Sequence, residues 1–278
     1  MDLASLLNMI NEKEDTSFQL VSKFKQGTQG AFTIQDHAGN EFVLKWGHSA
    51  ELTSRLDEAA AYTSELKRKG YPLPLYTHIG HTDGWSYSIQ EKLAGTLCPP
   101  ENLPVHLPRI LEINELQRDQ VKSSHWPERI VNAVIYGESE FCSHQPLLHF
   151  SSATAELLIV LQNVMYTYDR HTYRTTDIVH FDFHHQNLLV HEGQLSGVVD
   201  WQFPCAGDCT FDLLTLMLYT EPDSKAWNQL KQAAERHVGK DVASIYLSYL
   251  LLRQICWCIE HWPAWLDHWF RVAKKALD

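Results

Sequence analysis

The stretch from His180 to Asp212 constrains this chain more than any other part of it. Two polar residues, Asp182 and Asn187, lie near its start, and a short apolar run typical of a β-strand follows them. A turn at Gly193 then reverses the chain, and a second apolar run ends at Asp200. The stretch therefore predicts a loop, a β-hairpin and a carboxylate at the end of the hairpin.

Asp182, Asn187 and Asp200 are the residue types that phosphoryl transfer from a nucleotide needs. The reaction requires one carboxylate to orient the attacking hydroxyl, and an amide oxygen with a second carboxylate to hold magnesium on the phosphates. We therefore expect Asp182 to be the catalytic carboxylate, and Asn187 and Asp200 to bind Mg²⁺. An Asp in a loop commonly bonds its own backbone instead, but the joint spacing of the three residues favours the catalytic interpretation.

The loop sequence HFDFHHQN, which contains Asp182 and Asn187, resembles the HGDxHxxN loop of the aminoglycoside phosphotransferases and their choline-kinase-like relatives. Asp200 and the Trp that follows it resemble the metal-binding position of that family. The resemblance extends from Gly27 to at least Leu213. It implies an α+β, two-lobed, protein-kinase-like fold, with a small β-rich N-lobe over residues 1–93 and a larger helical C-lobe over residues 94–278.

The loop departs from the family pattern at three positions. Phe181 stands where the family usually has Gly, and His185 and Gln186 stand where it usually has Pro and Gly. Because Gly reaches positive φ easily and Phe does not, we expect the backbone to differ locally at Phe181 or to be extended there. We expect His180 to brace the loop by packing and hydrogen bonding rather than to perform acid-base chemistry.

A glycine turn formed by Gly27, Thr28, Gln29 and Gly30 lies between two predicted strands. Glycines let backbone N–H groups approach phosphates closely, so we expect a nucleotide phosphate loop here, with a plain hairpin turn as the alternative. The turn precedes a strand that ends at Lys45, which by the resemblance pairs with the α- and β-phosphates. A Walker A sequence is absent.

A helix is predicted from Leu52 to Lys69, with Gly70 ending it. On this helix Glu58 is the candidate partner of Lys45, because the segment around it resembles the corresponding run of the family in register. The competing acids, which an exposed helix face would explain equally well, are Asp57, Glu65 and Glu51.

Two further segments, Tyr71–Tyr76 and Trp85–Leu93, have the pattern of strands, with a turn between them. The end of the second segment resembles the hinge at which the two lobes of the family join. Glu91 and Leu93 would there present backbone groups to the nucleotide base. Backbone donors and acceptors say little about which base is bound, so the predicted cofactor is ATP or GTP.

The remainder of the chain is predicted to be mainly helical. After a proline-rich link, helices are predicted over Arg109–Val121 and Ala153–Tyr168. Residues 122–150 show no clear pattern, and Trp126-Pro127 and Gly137 are interpreted as breaks within them. The most apolar segment, Val242–Ile259, contains Arg253, and a charge inside a bilayer is costly. We therefore interpret this segment as a buried helix rather than a membrane span.

Several other polar residues of the C-terminal half have possible roles. Asp208 and Asp212 are expected to be structural, with Asp212 accepting amide hydrogen bonds at the start of the helix that follows. Glu260, His261 and Asp267 lie where the resemblance places the lining of the acceptor pocket. An ordinary solvated surface is the alternative interpretation of these exposed acids.

Composition excludes several other classes of protein. A net charge of −11 argues against binding to nucleic acid and is compatible with a cationic small-molecule substrate. The six cysteines include no CxxC pair and the 16 histidines no paired ligand spacing, so we expect free thiols and no zinc site. The N-terminal residues lack the pattern of a secretory leader, which predicts a cytoplasmic protein, monomeric or homodimeric, without a membrane partner.

Together these features predict an enzyme that moves the γ-phosphate of ATP or GTP, with Mg²⁺, to a hydroxyl of a small molecule. Within the family, the loop and the segment after Asp200 most resemble the kinases that inactivate antibiotics, with an aminoglycoside or a cationic peptide antibiotic as the acceptor. The alternatives are a metabolic kinase for choline, homoserine or a sugar, and a catalytically dead nucleotide-binding module. Retention of Lys45, Asp182, Asn187 and Asp200 together argues against the dead module.

Overall fold

The computed structural model describes residues 2–24, 30–47, 50–82, 85–137 and 141–277. The chain divides into two compact units, one of Met1–Leu97 with Asn187–Pro204 and one of Cys98–Gln186 with Cys205–Asp278. The first segment thus ends four residues after the boundary that the sequence suggests. The predicted hairpin that carries Asn187 and Asp200 belongs to the first unit.

Strands and helices both occur, so the predicted α+β class is confirmed. The strands are β1 (Gln19–Lys23), β2 (Ala31–Gln35), β3 (Glu41–Gly47), β4 (Tyr76–Thr82), β5 (Trp85–Glu91), β6 (Thr96–Leu97), β7 (Asp177–Val179), β8 (Leu188–His191), β9 (Gln194–Val198) and β10 (Cys205–Gly207). The helices are α1 (Leu3–Glu14), α2 (Ala50–Arg68), α3 (Leu103–Glu115), α4 (Trp126–Tyr136), α5 (Gln145–Phe150), α6 (Ser152–Met165), α7 (Thr210–Leu218), α8 (Lys225–His261) and α9 (Leu266–Leu277).

The first unit is built on an antiparallel sheet with the strand order β1-β2-β3-β5-β4. Helix α1 packs on this sheet, because its apolar positions recur at helical spacing and bury Leu6 and Ile10 against Ile34 and Leu44. The side chain of Asp2 accepts a hydrogen bond from the backbone N–H of Ser5 and so caps the helix. The strands predicted on either side of the glycine turn are confirmed as β1 and β2, and the strand predicted to contain Lys45 is confirmed as β3.

The segment before β4 differs from the prediction. The strand begins at Tyr76 and runs through residues predicted as a turn, whereas the segment expected to be a strand from Tyr71 is irregular. Pro72 and Pro74 explain the difference, because proline has no N–H to donate to a sheet. The carbonyl of Pro72 instead accepts a hydrogen bond of 2.7 Å from the backbone N–H of Val198.

A second, three-stranded sheet of the first unit has the order β6-β8-β9. Strands β8 and β9 form the predicted hairpin, in which Leu188 lies opposite Val198. The turn between them contains Glu192 and Gly193, both at positive φ, as two-residue hairpin turns require. This hairpin therefore brings the residues just outside its two ends, Asn187 and Val199, next to each other.

The second unit is mainly helical. Helix α8 is interrupted at Gly239, where the backbone has a non-helical φ of 80°. By length and composition it could cross a membrane, but 72% of its most apolar 18-residue segment is buried, as in a core helix. Strand β7 pairs with β10, and Val179 lies opposite Cys205. This pairing fixes the start of the loop that contains Asp182. None of the six cysteines forms a disulfide.

Two helices of the second unit lie at different positions from those predicted. Helix α3 spans Leu103–Glu115, with Pro104 in its first turn, so it begins inside the presumed proline-rich link and ends before Val121. The region without a clear pattern contains α4 and α5, and Trp126, predicted to mark a break, begins α4. Proline is tolerated in the first turn of a helix because the N–H there has no partner within the helix.

Candidate active site

Lys45 and Asp200 form an ion pair in the first unit. Lys45 is on β3, and its Nζ lies 2.8 Å from Oδ1 of Asp200, with 18% of the Lys45 side chain and 41% of the Asp200 side chain exposed. The expected pairing of Lys45 with Glu58 is replaced by this contact. Glu58 is on the exposed face of α2, where its carboxylate accepts a hydrogen bond of 2.5 Å from the hydroxyl of Tyr62.

Asn187 lies beside Asp200 at the end of the β8–β9 hairpin. The carbonyl oxygen of Asn187 accepts a hydrogen bond of 2.9 Å from the backbone N–H of Val199, so the two residues predicted to bind metal are held by adjacent strands. Asp200 has a φ of 67°, and the buried Trp201 that follows it accepts a hydrogen bond of 2.7 Å from Tyr76 at its carbonyl. A carboxylate and an amide with oxygen donors at one hairpin end are a set of ligands that suits Mg²⁺.

The predicted nucleotide loop is described only in part. Gly27, Thr28 and Gln29 lie outside the described residues. Gly30 has a φ of 73°, and the next residue, Ala31, accepts a hydrogen bond of 2.9 Å from the N–H of Phe24, which extends the pairing of β1 with β2. A left-handed glycine is therefore present immediately before β2. Binding of phosphate by this turn stays a prediction.

The predicted hinge residues have structural contacts within the first unit. The carboxylate of Glu91 accepts hydrogen bonds from the backbone N–H of Leu75, at 3.1 Å, and from Nζ of Lys67, at 3.2 Å. A Cβ atom at Gly197 would lie only 2.5 Å from the side chain of Leu93, so β9 packs closely under the hinge segment. These contacts position the backbone of the segment, and its binding to a nucleotide base stays a prediction.

Asp182 belongs to the second unit, where its carboxylate has two cationic or ionisable neighbours. Oδ2 lies 3.4 Å from Nε2 of His184, and Oδ1 lies 3.9 Å from Nη2 of Arg253. Burial by itself would raise the pKa of Asp182, but the hydrogen bond from His184 and the charge of Arg253 hold this pKa below its ordinary value. Asp182 is therefore an ionised carboxylate at neutral pH, which is the state that accepts a hydrogen bond from a hydroxyl.

Asp212 holds the backbone of the loop that contains Asp182 in place. This fully buried carboxylate accepts hydrogen bonds from the backbone N–H groups of His180, at 2.8 Å, and Phe181, at 3.0 Å, and from the side chain of Gln117, at 2.7 Å. The expectation that Asp212 caps its own helix was therefore wrong. The N–H of Thr210, in the first turn of α7, donates to Asp208 instead. Burial raises the pKa of Asp212 to about 7, against the effect of these donors.

Phe181 adopts the conformation that glycine would have. Its φ is 74°, so the expectation that this residue changes the local backbone was wrong. The buried ring stacks on Phe211, with centroids 5.5 Å apart, and lies under the guanidinium groups of Arg129, at 4.5 Å, and Arg253, at 5.0 Å. Packing therefore holds the backbone in the left-handed region.

The roles of two residues in and around this loop, Arg253 and His180, were only partly predicted from the sequence. Arg253, noted there as a charge in an apolar segment, donates a hydrogen bond of 2.7 Å to the carbonyl of Phe181 in addition to its contact with Asp182. His180 is fully buried, and its Nδ1 lies 3.3 Å from the backbone N–H of Asp182, which is the bracing role expected of it. Arg253 is more than 70 residues from the loop in sequence, so no local pattern could have linked them.

Comparisons with known proteins agree with this chemistry. The model of the phosphotransferase enzyme family matches residues 21–246, which is more than half of the 278-residue chain. No curated protein sequence matches the chain.

Solved structures of several small-molecule kinases have a similar fold. Aminoglycoside phosphotransferase APH(4)-Ia matches with a TM-score of 0.72 and 17% identity, over 99% of this chain and 97% of that chain. The amicoumacin kinase hAmiN, solved with AMP-PNP, Ca²⁺ and Ami, matches with a TM-score of 0.66 and 13% identity, over 100% and 94% of the two chains. A putative fructosamine-3-kinase from Thermobifida fusca matches with a TM-score of 0.66 and 15% identity, over 99% of each chain.

These structures establish the fold of the chain as protein-kinase-like, as predicted. The family match extends over Lys45, Asp182, Asn187 and Asp200, so it includes all four residues on which the expected chemistry depends. The chain belongs to the phosphotransferase enzyme family.

Proposed function

We propose that this small-molecule phosphotransferase moves the γ-phosphate of ATP or GTP to a hydroxyl of an antibiotic in the cytoplasm, with Asp182 as the catalytic carboxylate. The observation that carries the proposal is the placement of the Asp182 carboxylate, 3.4 Å from Nε2 of His184 and 3.9 Å from Nη2 of Arg253, in a loop that Asp212 fixes through two backbone hydrogen bonds. A charged carboxylate held in this way can orient a hydroxyl before transfer and accept its proton.

In the proposed reaction, the acceptor oxygen attacks the γ-phosphorus while the bond from that phosphorus to the β-γ bridging oxygen breaks. The proton of the hydroxyl passes to Asp182, and the nucleoside diphosphate leaves. Lys45, now paired with Asp200, supplies a positive charge for the phosphates. Mg²⁺, held by Asn187 and Asp200, would neutralise charge on the same phosphates.

The acceptor class rests on the resemblance and on the structural neighbours. One structure of APH(4)-Ia contains ADP and hygromycin B, and the structure of hAmiN contains Ami. Both are kinases named for antibiotics, so an antibiotic hydroxyl is the first acceptor to test. Fructosamine-3-kinases are also among the neighbours, and they support a metabolic acceptor as the second candidate.

The proposal is tested by measuring nucleoside diphosphate release with ATP or GTP, Mg²⁺ and a library of hydroxyl-bearing antibiotics and metabolites. We expect turnover with at least one antibiotic, and a loss of about 10²- to 10⁴-fold in kcat for Asp182→Asn. The matched control is Asp241→Asn, which changes a carboxylate with 77% of its side chain exposed in the same unit and should keep full activity. Turnover confined to metabolites would support the metabolic candidate and exclude the antibiotic one.

A further inference from the structure

Within the second unit, Arg253 contacts two consecutive residues of the loop that contains Asp182. Its Nη1 donates a hydrogen bond of 2.7 Å to the carbonyl of Phe181, and its Nη2 lies 3.9 Å from Oδ1 of Asp182. One guanidinium group therefore contacts both the backbone just before the carboxylate and the carboxylate itself. A guanidinium can do so because its N–H donors diverge from a planar group in a fixed geometry.

The peptide group that joins Phe181 to Asp182 is held at both of its polar atoms. Arg253 binds the carbonyl oxygen, and the N–H of Asp182 donates to Nδ1 of His180 at 3.3 Å. On the other side of the carboxylate, Nε2 of His184 lies 3.4 Å from Oδ2. The orientation of Asp182 is thus set from its main chain and from both of its oxygens, and Arg253 links the two.

The ring of Phe181 lies against the guanidinium group of Arg253. The ring centroid is 5.0 Å from Cζ of Arg253, which is within the range of a cation-π interaction, and 4.5 Å from Cζ of Arg129. The ring is itself fixed, because it is buried and stacks on Phe211 with the two planes 10° apart. Phe181 therefore supports the side chain that holds its own carbonyl group.

Helix α8 brings Arg253 to the loop in a fixed register. Tyr249, one turn earlier on the same face of the helix, has its ring 6.0 Å from that of Phe181. Gln254, the next residue, accepts a hydrogen bond of 2.8 Å from the hydroxyl of Tyr219. These contacts oppose rotation of the helix about its axis, so packing determines where the guanidinium group of Arg253 lies.

The exposure of the two charged side chains indicates which of them meets a ligand. The side chain of Asp182 is 43% exposed, whereas that of Arg253 is 12% exposed. A hydroxyl can therefore reach the carboxylate, while the guanidinium group is largely covered and already bound to the loop backbone. Arg253 is thus placed to act on Asp182 rather than to bind the acceptor.

We propose that Arg253 is a positioning residue for phosphate transfer, which holds the Asp182 carboxylate and the peptide before it in the orientation that the acceptor hydroxyl requires, with the ring of Phe181 as its support. This inference rests on the proposed function, because the orientation of Asp182 matters to transfer only if Asp182 is the catalytic carboxylate. A misplacement of about 1 Å in an active site can lower a rate by about 10²-fold. Loss of this contact should therefore lower kcat and leave substrate binding intact.

Two substitutions of Arg253 separate its hold on the loop from its packing. Arg253→Met keeps an apolar stem and has no donor or charge, whereas Arg253→Lys keeps the charge and loses the planar group. Kinetics are measured with ATP or GTP, Mg²⁺ and the library compound that is turned over. We expect kcat to fall about 10²-fold in Arg253→Met and about 10-fold in Arg253→Lys, with each KM changed less than about twofold. A role in packing alone predicts the opposite order, which would overturn the inference.

Arg129→Met is the matched control. The guanidinium group of Arg129 lies over the same ring as that of Arg253, whereas the contact of 3.9 Å with the carboxylate belongs to Arg253. We expect Arg129→Met to reduce stability in urea but to keep kcat within about threefold of the parent value. An equal loss of kcat in Arg129→Met and Arg253→Met would show that packing around the ring is the cause, and would overturn the inference.

A double-mutant cycle tests whether Phe181 supports Arg253. Phe181→Leu removes the aromatic face, and we expect Arg253→Met to lower kcat by a smaller factor in this variant than in the parent protein, because residues that act together are not additive. Equal factors in the two backgrounds would show that the ring does not act through Arg253.

Crystal structures of the parent protein, Arg253→Met and Arg129→Met provide a readout that needs no turnover. We expect the Asp182 carboxylate, or the peptide before it, to be displaced in Arg253→Met and to keep its place in Arg129→Met. Unchanged placement in Arg253→Met would overturn the inference even if the enzyme turns over an antibiotic. Displacement in Arg253→Met alone, without turnover of any acceptor, would support the hold of Arg253 on Asp182 and remove the proposed function. Arg253→Lys takes the place of Arg253→Met in these comparisons if urea unfolding shows that the methionine variant is not folded.

Discussion

At the residue scale, Phe181 combines an unfavourable backbone with favourable packing. A non-glycine residue in the left-handed region costs about 1–2 kcal/mol, whereas truncation of a buried Phe costs about 3–5 kcal/mol. The ring is buried against Phe211 and two guanidinium groups, so packing outweighs the backbone cost. The positive φ of 74° is therefore stable without glycine.

This balance predicts the order of two variants. Phe181→Ala and Phe181→Gly both lose the ring and should both be less stable than the parent protein. Only glycine relieves the backbone cost, so Phe181→Ala should be the less stable of the two by about 1 kcal/mol. Urea unfolding followed by circular dichroism measures the difference. Equal stability of the two variants, or a more stable Ala variant, would show that φ is not positive at this position.

Asp212 is the second residue whose role depends on the loop. Its two carboxylate oxygens accept three N–H donors, so Asp212→Asn must place its own NH₂ group against at least one of them. An unpaired buried donor costs about 1–3 kcal/mol. We expect Asp212→Asn to lose that much stability and most of the activity. Asp208→Asn, which alters a buried carboxylate away from the loop backbone, is the comparison, and it should retain more activity than Asp212→Asn.

The raised pKa of Asp212 adds a pH dependence. Because this pKa is raised from 3.8 to about 7 on folding, the folded state holds the proton more tightly than the unfolded chain does between these values. The contribution of Asp212 to the free energy of unfolding is therefore fully present at low pH and is lost as the pH rises toward 7. The stability difference between the parent protein and Asp212→Asn should shrink between pH 4.5 and pH 7.5. A difference that grows over this interval would contradict the assignment.

The residues that were predictable from sequence are those that lie in a recognisable local pattern. Asp182, Asn187 and Asp200 form such a pattern, whereas the partners of Asp212 and Arg253 do not. Asp212 bonds residues 31 and 32 positions before it, and Arg253 bonds a carbonyl 72 positions before it. Contacts between residues so far apart in the sequence depend on tertiary packing, which a single sequence does not show.

At the element scale, the pairing of β4 with β5 depends on a glycine. Gly80 lies opposite Tyr87, and a Cβ atom at Gly80 would lie 2.0 Å from the Tyr87 ring. Tyr87 is fully buried, and its hydroxyl donates to the carboxylate of Glu14 at the end of α1. The ring therefore links the sheet to the helix and has no room to move aside.

We expect Gly80→Ala to destabilise the protein by about 1–3 kcal/mol through overpacking. The cost should lie toward the upper end of this range, because the new Cβ clashes with a buried ring. Gly39→Ala in the β2–β3 turn has no atom within 4 Å of the new Cβ and tests the cost of positive φ alone. That cost should be about 1 kcal/mol. The double variant Gly80→Ala with Tyr87→Leu should recover part of the loss if the ring is its cause. Chemical unfolding of the four proteins distinguishes these effects.

Elements with a clear period were predictable, and elements that begin with proline were not. Helix α1 and the strands β2 and β3 follow from their apolar spacing. Helices α3 and α4 each carry a proline in the first turn, which the sequence suggested as a break or a link. Proline is tolerated in the first turn of a helix, whereas in the interior it removes a backbone hydrogen bond, and α3 nevertheless continues past Pro108.

At the scale of the whole molecule, the fold class and the reaction type were predictable, and the acceptor was not. The residues that we propose to handle the phosphates are few, and all of them belong to the segments that resemble the family. The negative net charge of −11 suggested a cationic substrate, but it is summed over the whole chain and does not show which charges lie near Asp182, where Arg253 is 3.9 Å from the carboxylate.

Binding of a nucleotide to the folded state links the candidate metal site to the stability of the whole protein. A ligand present at 100 times its Kd stabilises the fold by about 2.7 kcal/mol. If Asn187 and Asp200 hold Mg²⁺, a nucleotide with Mg²⁺ should raise the Tm of the parent protein more than the nucleotide alone does. Asp200→Ala should remove this additional rise because one of the two metal ligands is lost.

The control must separate metal binding from the loss of an ion pair, since Asp200→Ala also leaves Lys45 without its carboxylate. Glu41→Ala serves this purpose, because Glu41 pairs with Lys92 at 2.6 Å in the same unit and 42% of its side chain is exposed, close to the 41% of Asp200. We expect Glu41→Ala to keep the full Mg²⁺-dependent rise. Identical rises with and without Mg²⁺ in the parent protein and in Asp200→Ala would favour a nucleotide-binding module without phosphotransfer. A rise that Asp200→Ala alone abolishes would place the metal at the end of the β8–β9 hairpin, as we propose.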